Sequence, residues 1–316
     1  MTPAPAVEVR ALRKAYGQKK AVDGLDLVVE SGEILAVLGP NGAGKTTTVE
    51  ILEGFRRRDS GDVRVLGEDP ATAGRAWRSR LGVVLQSTND LAEATVGELV
   101  HHFARYYPDP RDADQVIDAV GLREKVGTRS RQLSGGQRRR LDVALGIVGR
   151  PELVFLDEPT TGFDPQARRS FWDLIAQLRE DGTTILLTTH YLEEAEHLAD
   201  RVVVVNEGKV VAQGAPAELG GRTARQALVR WTAPDGPHEE RTDTPTALVR
   251  TLAETYGEVP ALQVLRPTLE DVYLGLIGRT AQETDERIGE PSDGAITDQP
   301  ARVPARAARS TTEDAR

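Results

Sequence analysis

The chain is a series of short apolar runs separated by polar and glycine-containing turns, and the period of the runs changes along it. Residues 7–30 alternate apolar with polar positions and are broken at Tyr16-Gly17 and Val22-Asp23-Gly24, which predicts short antiparallel strands. Residues 34–38 are apolar at every position and bounded by turn residues, so they predict a strand covered on both faces. From Lys45 the apolar residues Val49, Ile51 and Leu52 fall at helical spacing, and Gly54 is placed to end that helix. Further strands are predicted at 63–66, 81–86, 153–157 and 183–189, with a hairpin at 202–212 turning on Asn206-Glu207-Gly208-Lys209. Helical periodicity marks 168–178 and 192–198, and also a polar stretch at 88–132 where Val96, Leu99, Val100 and Phe103 share one face. Pro108-Asp109-Pro110 interrupts that stretch before it resumes at 113–120.

Strands alternating with helices predict an α/β fold with a mostly parallel sheet, preceded by an antiparallel β portion. The segment at about 88–150 divides the strands and is expected to form a small helical subdomain. The pattern changes near 220. A β-like stretch at 226–231, a helix at 246–256 and the run Pro267-Thr268-Leu269-Glu270-Asp271-Val272-Tyr273 predict a small α+β appendage over 221–280, in which a proline-led helix packs Leu269 and Val272 inward. From 281 to 316 there are no aromatic and few large aliphatic residues, which predicts a disordered tail.

Bulk properties narrow the classes. A length of 316 residues suits about two domains with a sizeable core. A net charge of −9 argues against nucleic acid as a partner. The absence of cysteine removes disulfides and thiolate metal sites and suits a reducing compartment. The apolar runs are strand-length, far short of the ~20 residues that span a bilayer, and the first residues lack the basic-then-apolar layout of a signal peptide.

The first candidate chemistry lies between the 34–38 strand and the Lys45 helix. Gly39-Pro40-Asn41-Gly42-Ala43-Gly44-Lys45-Thr46 fits the phosphate-loop pattern G-x-x-x-x-G-K-[ST] in its required strand–loop–helix setting. Glycines let successive backbone N–H groups turn inward around a phosphate chain, and the helix N-terminus adds its dipole. Lys45 is expected to reach the β- and γ-phosphates, and the Thr46 hydroxyl to ligate Mg²⁺. The second signal is Asp157-Glu158, closing an apolar strand. Adjacent side chains at a strand end diverge, so the two acids take different tasks. Asp157 would hold the metal through water, and Glu158 would face the γ-phosphate and polarise the attacking water. The third is Leu133-Ser134-Gly135-Gly136-Gln137. Ser134 predicts a helix N-cap, with the helix running to about Val148, and two glycines in its first turn weaken the helix while exposing N–H groups to an anion.

At these residues the chain resembles the ATP-binding-cassette (ABC) ATPases, whose signature loop the Ser134 stretch matches. The resemblance covers residues 7 to about 220 and brings further motifs in the family's order. It implies that Tyr16 stacks on adenine and that Gln86 touches Mg²⁺ and the water while linking to the helical subdomain. It implies too that Asp164, in Thr161-Gly162-Phe163-Asp164, addresses an opposite monomer, and that His190 contacts the γ-phosphate. Phe163 stands where leucine is usual, expected as conservative packing, and Gly97 where a charged residue is common, on a subdomain surface that meets the partner.

The family implies a head-to-tail dimer of two copies, with ATP held by residues 39–47, Thr47 included, of one and closed over by Ser134, Gly135, Gly136 and Gln137 of the other. It implies a separate integral-membrane permease subunit driven from the cytoplasmic face, with Mg²⁺-ATP as the fuel. Residues 215–278 are similar to the appendage of ATPases serving bacterial antibiotic-resistance exporters of the daunorubicin-resistance type. Two alternatives stand beside this reading. A soluble regulatory or translation-linked ABC ATPase usually carries two cassettes, and this chain has one phosphate loop and one signature loop. A GTPase would need a guanine-reading box, which Asn206-Glu207-Gly208-Lys209 resembles only superficially.

Overall fold

The computed structural model describes residues 4–84, 93–221 and 226–288. Two long antiparallel strands open the chain, β1 (Val7–Tyr16) and β2 (Lys19–Val29), and β4 (Ser60–Val65) joins them in a three-stranded sheet of order β2-β1-β4. The phosphate-loop strand β3 (Ile34–Leu38) is buried at all five positions, as its unbroken apolar run requires, and is followed by helix α1 (Lys45–Leu52). Gly54 ends that helix at φ +76°. A short helix α2 (Arg75–Arg78) leads to β5 (Leu81–Val84). The helical insertion comprises α3 (Val96–Ala104), α4 (Ala113–Ala119) and α5 (Gly135–Ile147), and the chain then re-enters the sheet at β6 (Leu153–Asp157). Helix α6 (Pro165–Glu180), β7 (Thr184–Thr188), α7 (Leu192–Leu198), β8 (Arg201–Asn206) and β9 (Lys209–Gly214) complete the core.

The main sheet has the order β5-β6-β7-β3-β8-β9 and is parallel except for the β8–β9 hairpin. Its strands alternate in the face they offer, so a single apolar run feeds two cores. Ile34, Ala36, Leu38, Val154, Leu156, Ile185 and Leu187 pack against helices α3 to α7. Leu35, Val37, Phe155, Leu186 and Val203 face the other way, onto α1 and the antiparallel sheet. The predicted fold class, a P-loop NTPase core with an antiparallel β subdomain and a helical insertion, is therefore present.

The Glu-Gly hairpin turn forms with Glu207 at φ +48° and Gly208 at +76°, the double positive φ of a tight type I′ connection. Gly97 has a physical reason. A Cβ there would stand 2.9 Å from a Val126 methyl, and its N–H bonds the Val126 carbonyl at 2.9 Å, so the position is shut by the chain's own loop rather than open to a partner. Phe163, 7% exposed, is packed edge-to-face on Phe171, in line with the conservative packing expected of it.

In the C-terminal region β10 (Ala227–Ala233), β11 (Gly236–Thr242) and β12 (Gln263–Leu265) form an antiparallel sheet of order β11-β10-β12, with the helix Pro245–Tyr256 against it. The last helix, Leu269–Ile288, departs from expectation twice. It belongs to the main core: Leu269 is 4% exposed, Val272, Tyr273 and Leu276 pack on the helical side of the sheet, and the Leu269 N–H donates to Glu196 at 2.9 Å. Its start is fixed by a Thr268–Asp271 capping pair rather than by the proline. It also passes residue 281, where the tail was expected to begin, because good helix formers such as Ala281, Gln282, Glu283 and Glu286 follow.

Candidate active site

In a parallel sheet the carboxyl ends of the strands lie along one edge, where loops can converge on a ligand. Here β3, β6 and β7 are adjacent in the sheet, and the residues that follow them, Gly39, Glu158 and His190, line one cleft of about 660 Å3. The cleft is also lined by Tyr16, Pro40, Asn41, Gly42, Gly44, Lys45, Thr46, Thr47 and Asp157. Ala43 lies beneath the loop, 3% exposed, with its carbonyl accepting from Gly208 N–H at 2.9 Å.

The loop's glycines are required by space as well as by φ. A Cβ on Gly39 would stand 2.2 Å from the Val205 carbonyl oxygen, and one on Gly44, at φ +103°, 2.2 Å from that of Ala21. We expect Gly44→Ala to lower folding stability by at least about 2 kcal/mol, read from its thermal or denaturant midpoint. A midpoint at the wild-type value would contradict the packing described.

Lys45 is 8% exposed, and its ammonium donates to the carbonyls of Gly39 at 2.7 Å and Pro40 at 3.2 Å. Burial pulls its pKa below the ordinary lysine value, while the charges of Glu158 and Asp157 pull it back up. Tyr16 closes β1, 43% exposed, with the Arg56 guanidinium 5.4 Å from its ring centre.

The two acids diverge as strand geometry requires. Asp157 accepts a hydrogen bond from the Thr188 hydroxyl on the neighbouring strand. Glu158 has left the strand, with φ +46°, a conformation that costs a non-glycine residue on the order of 1 kcal/mol or more and recurs where a side chain must be aimed. Its N–H donates to Thr188 O at 3.0 Å, and one carboxylate oxygen lies 3.2 Å from His190 Nδ1. Thr46 and Asp157 offer only oxygen donors, which suits a hard cation such as Mg²⁺. Among the described residues no three His, Cys, Asp or Glu side chains could hold a metal by themselves. Glu53, just beyond α1, is pushed up to about 8 by burial, with Asp157 and Glu50 adding their charge.

The signature loop is built as its sequence predicts but does not line this cleft. Ser134 caps α5 in a reciprocal box with Gln137, whose N–H donates to the serine hydroxyl at 3.3 Å and whose side chain accepts from Ser134 N–H at 3.1 Å. Gly135 and Gly136 form the first turn, and a Cβ on Gly136 would meet the Phe163 ring at 3.7 Å. Asp164 caps α6 by accepting from Ala167 N–H at 2.8 Å. Neither the Ser134–Gln137 turn nor Asp164 lines the cleft. Gln86 lies outside the described residues.

Sequence reasoning missed three residues lining the cleft, Lys19, Ala21 and Tyr273. Lys19 was recoverable, since the β1–β2 hairpin sets it opposite Tyr16. Tyr273 was not, since nothing in its own segment shows that the last helix packs on the core.

A glycine loop between a buried strand and a helix, with two acids at the end of the next strand but one in the same sheet, defines a P-loop nucleoside triphosphatase. Comparison narrows the class. Residues 22–161 match the family model described as ABC transporter. The chain is 39% identical over 304 residues to the daunorubicin resistance ATP-binding protein DrrA3 of Streptomyces coeruleorubidus, covering 86% of this chain and 96% of that protein. It is 40% identical over 309 residues to the Nod factor export ATP-binding protein I of Ralstonia nicotianae, covering 88% and 96% respectively. Among solved structures, cbiO1 from Clostridium perfringens, part of the ABC transporter complex cbiONQ, superposes with a TM-score of 0.61 at 29% identity, over 68% of this chain and 90% of that one. The chain belongs to the ATP-binding subunits of ABC transporters. ATP hydrolysis coupled to transport is the general activity of that family, whose ATPase subunits work as dimers with a membrane permease.

Proposed function

We propose that this chain powers an exporter, working as a head-to-tail dimer on the cytoplasmic side of a membrane through a separate permease subunit. The observation that carries the dimer is the division of the site. The phosphate loop, both acids and His190 line one cleft, while the signature turn and Asp164 lie elsewhere on the same chain. One helix N-terminus leaves part of a triphosphate's charge uncompensated, and a second, brought by another copy, can compensate it. Among the described residues no helix is long and apolar enough to cross a membrane, and the ATPase subunits of the family work with a membrane permease. Export, and cargo of the drug kind, are supported by the relatives' names, which concern daunorubicin resistance and Nod factor export.

In this reading Tyr16 stacks on adenine, and the loop N–H groups with Lys45 hold the β- and γ-phosphates. Glu158 accepts a proton from the water whose oxygen attacks the γ-phosphorus, and ADP leaves. His190, 3.2 Å from the Glu158 carboxylate, keeps it aimed and reaches the γ-phosphate. Thr46, Asp157 and Gln86 would hold Mg²⁺, which neutralises charge developing on the phosphate oxygens.

The test is a gentle detergent pull-down of tagged chain carrying Glu158→Gln, with ATP, from the source cell's membranes. We expect a stoichiometric multi-span membrane protein. Recovery only in the soluble fraction, alone or with ribosomal particles, would retain the ATPase and overturn the transport role.

A further inference from the structure

Behind the catalytic loops lies a buried polar cluster that hydrolysis as described does not use. Glu194, in the first turn of α7, is 0% exposed. Its carboxylate is surrounded by three donors: the hydroxyls of Thr160 and Thr189 and the indole N–H of Trp172. Thr160 and Thr189 are 0% exposed and Trp172 6%. Thr160 follows Glu158 by two residues, Thr189 immediately precedes His190, and Trp172 belongs to α6.

We infer that Glu194 is a positioning residue for ATP hydrolysis, tying the loop that carries Glu158 to the loop that carries His190. The inference rests on the roles proposed above for those two residues. Three features of the chemistry favour it. First, the partners can only donate or are free to do so. An indole N–H is a donor only, and the Thr189 hydroxyl oxygen already accepts from Tyr191 N–H at 3.0 Å, which leaves its proton for the carboxylate.

Second, both threonines also organise their own loops. The Thr160 carbonyl accepts from Phe163 N–H at 3.0 Å in the turn after the acids, and Thr189 fixes Tyr191, whose ring lies 4.1 Å from that of His190. Third, a carboxylate at this depth is costly, and an apolar side chain of similar volume would fill the space without that cost. What an apolar side chain cannot do is offer acceptor oxygens to two loops at once.

The surrounding charges fit an acceptor. Arg168 on α6 attracts the carboxylate, while Arg139 on α5 lies among Asp142, Asp157, Glu194 and Glu158. Burial is the largest influence and raises the Glu194 pKa above the ordinary glutamate value, against the pull of the three donors and Arg168. The contacts are looser than full hydrogen bonds: Thr160 Oγ1, Trp172 Nε1 and both Glu194 oxygens fall short of that geometry. The carboxylate therefore keeps acceptor capacity that a small shift of either loop can engage.

The test uses the purified full chain with Glu194→Gln, whose amide keeps the shape but turns a donor toward the donors. Circular dichroism and thermal midpoint establish folding, and steady-state ATPase and ATP titration follow, with Glu158→Gln measured alongside. We expect kcat to fall about tenfold with KM and ATP affinity within about twofold, because Tyr16 and the phosphate loop are untouched. A lower midpoint with unchanged kcat would make Glu194 a structural plug and overturn the inference, as would a loss of kcat matched by a loss of ATP affinity. If Glu194→Gln does not fold, Thr160→Val and Thr189→Val each remove one tie. Reduced kcat in both supports the inference, and wild-type kcat in either overturns it. An inactive Glu158→Gln beside a fully active Glu194→Gln removes only this inference. An active Glu158→Gln removes the reading of the site on which it stands.

Discussion

Replacing Glu158 by glutamine is expected to slow ATP hydrolysis by about 10²- to 10⁴-fold, the span by which a positioned general base accelerates a reaction. ATP affinity should hold. The substitution keeps side-chain volume and the backbone at φ +46°, and it removes the ability to accept a proton at one point in the cleft. The Glu158 carboxylate contributes no donor to the phosphates, so nothing that holds ATP in the ground state is lost. An ATPase assay paired with equilibrium binding reads both quantities. Substantial turnover in Glu158→Gln would move the base elsewhere in the site, and a parallel loss of binding would show that the acid acts on nucleotide capture.

The second large effect falls on binding itself. Lys45→Ala is expected to weaken ATP by about 100-fold, roughly 2.7 kcal/mol, the scale of one or two charge-assisted hydrogen bonds. Lys45 is the buried cation at the end of the phosphate loop, and its ammonium also satisfies the carbonyls of Gly39 and Pro40. Alanine removes the charge proposed to face the phosphates and leaves two loop carbonyls short of a donor. Burial lowers the lysine's pKa and the charges of Glu158 and Asp157 oppose that shift, as the negative charge of a bound triphosphate would. Calorimetric or fluorescence titration checks this, and an unchanged dissociation constant would contradict the assignment of the loop.

What the chain shows of its fold before folding depends on whether a segment's fate is set locally. The strand Ile34–Leu38 is apolar at every position and has no solvent-facing option, so its burial is legible, as are the loop and helix after it. The hairpin at Glu207-Gly208 is likewise local chemistry, since a glycine beside a polar residue readily takes the paired positive φ of a two-residue turn. Helix α6 shows a missed local signal. Amphipathic spacing alone starts it near Arg168, but Asp164 as cap and Pro165 in the first turn begin it earlier.

Other features were beyond local reading. Glu194 lies beside Leu192, Ala195 and Leu198 and reads as a solvated acid, and only the approach of α6 and two strand-end loops buries it. The same holds for the final helix. Its residues give a capped amphipathic helix, but which surface receives Leu269 is decided by tertiary contact with Glu196 and the main core. For the site, the phosphate loop and the two acids were legible because each motif sits on one element. That the signature turn would stay out of the chain's own cleft was implied by the family resemblance, which gives it to the other copy, and not by local pattern, because it depends on where α5 lies against the sheet.

The guanidinium of Arg139 bears on how such subunits act together. One turn into α5, behind the signature glycines, it is 7% exposed and donates to the carbonyls of Asp157 and Pro159, on either side of Glu158. The helix that would present its N-terminus to a neighbour's nucleotide is thus fastened to the backbone that aims Glu158, the chain's proposed base. In the dimer proposed here, a shift of that helix on meeting ATP across the interface would be felt by the subunit's own acids without any further contact between the two copies. Cooperativity between the two nucleotides would then be a property of each subunit's interior, written into one arginine and two carbonyls.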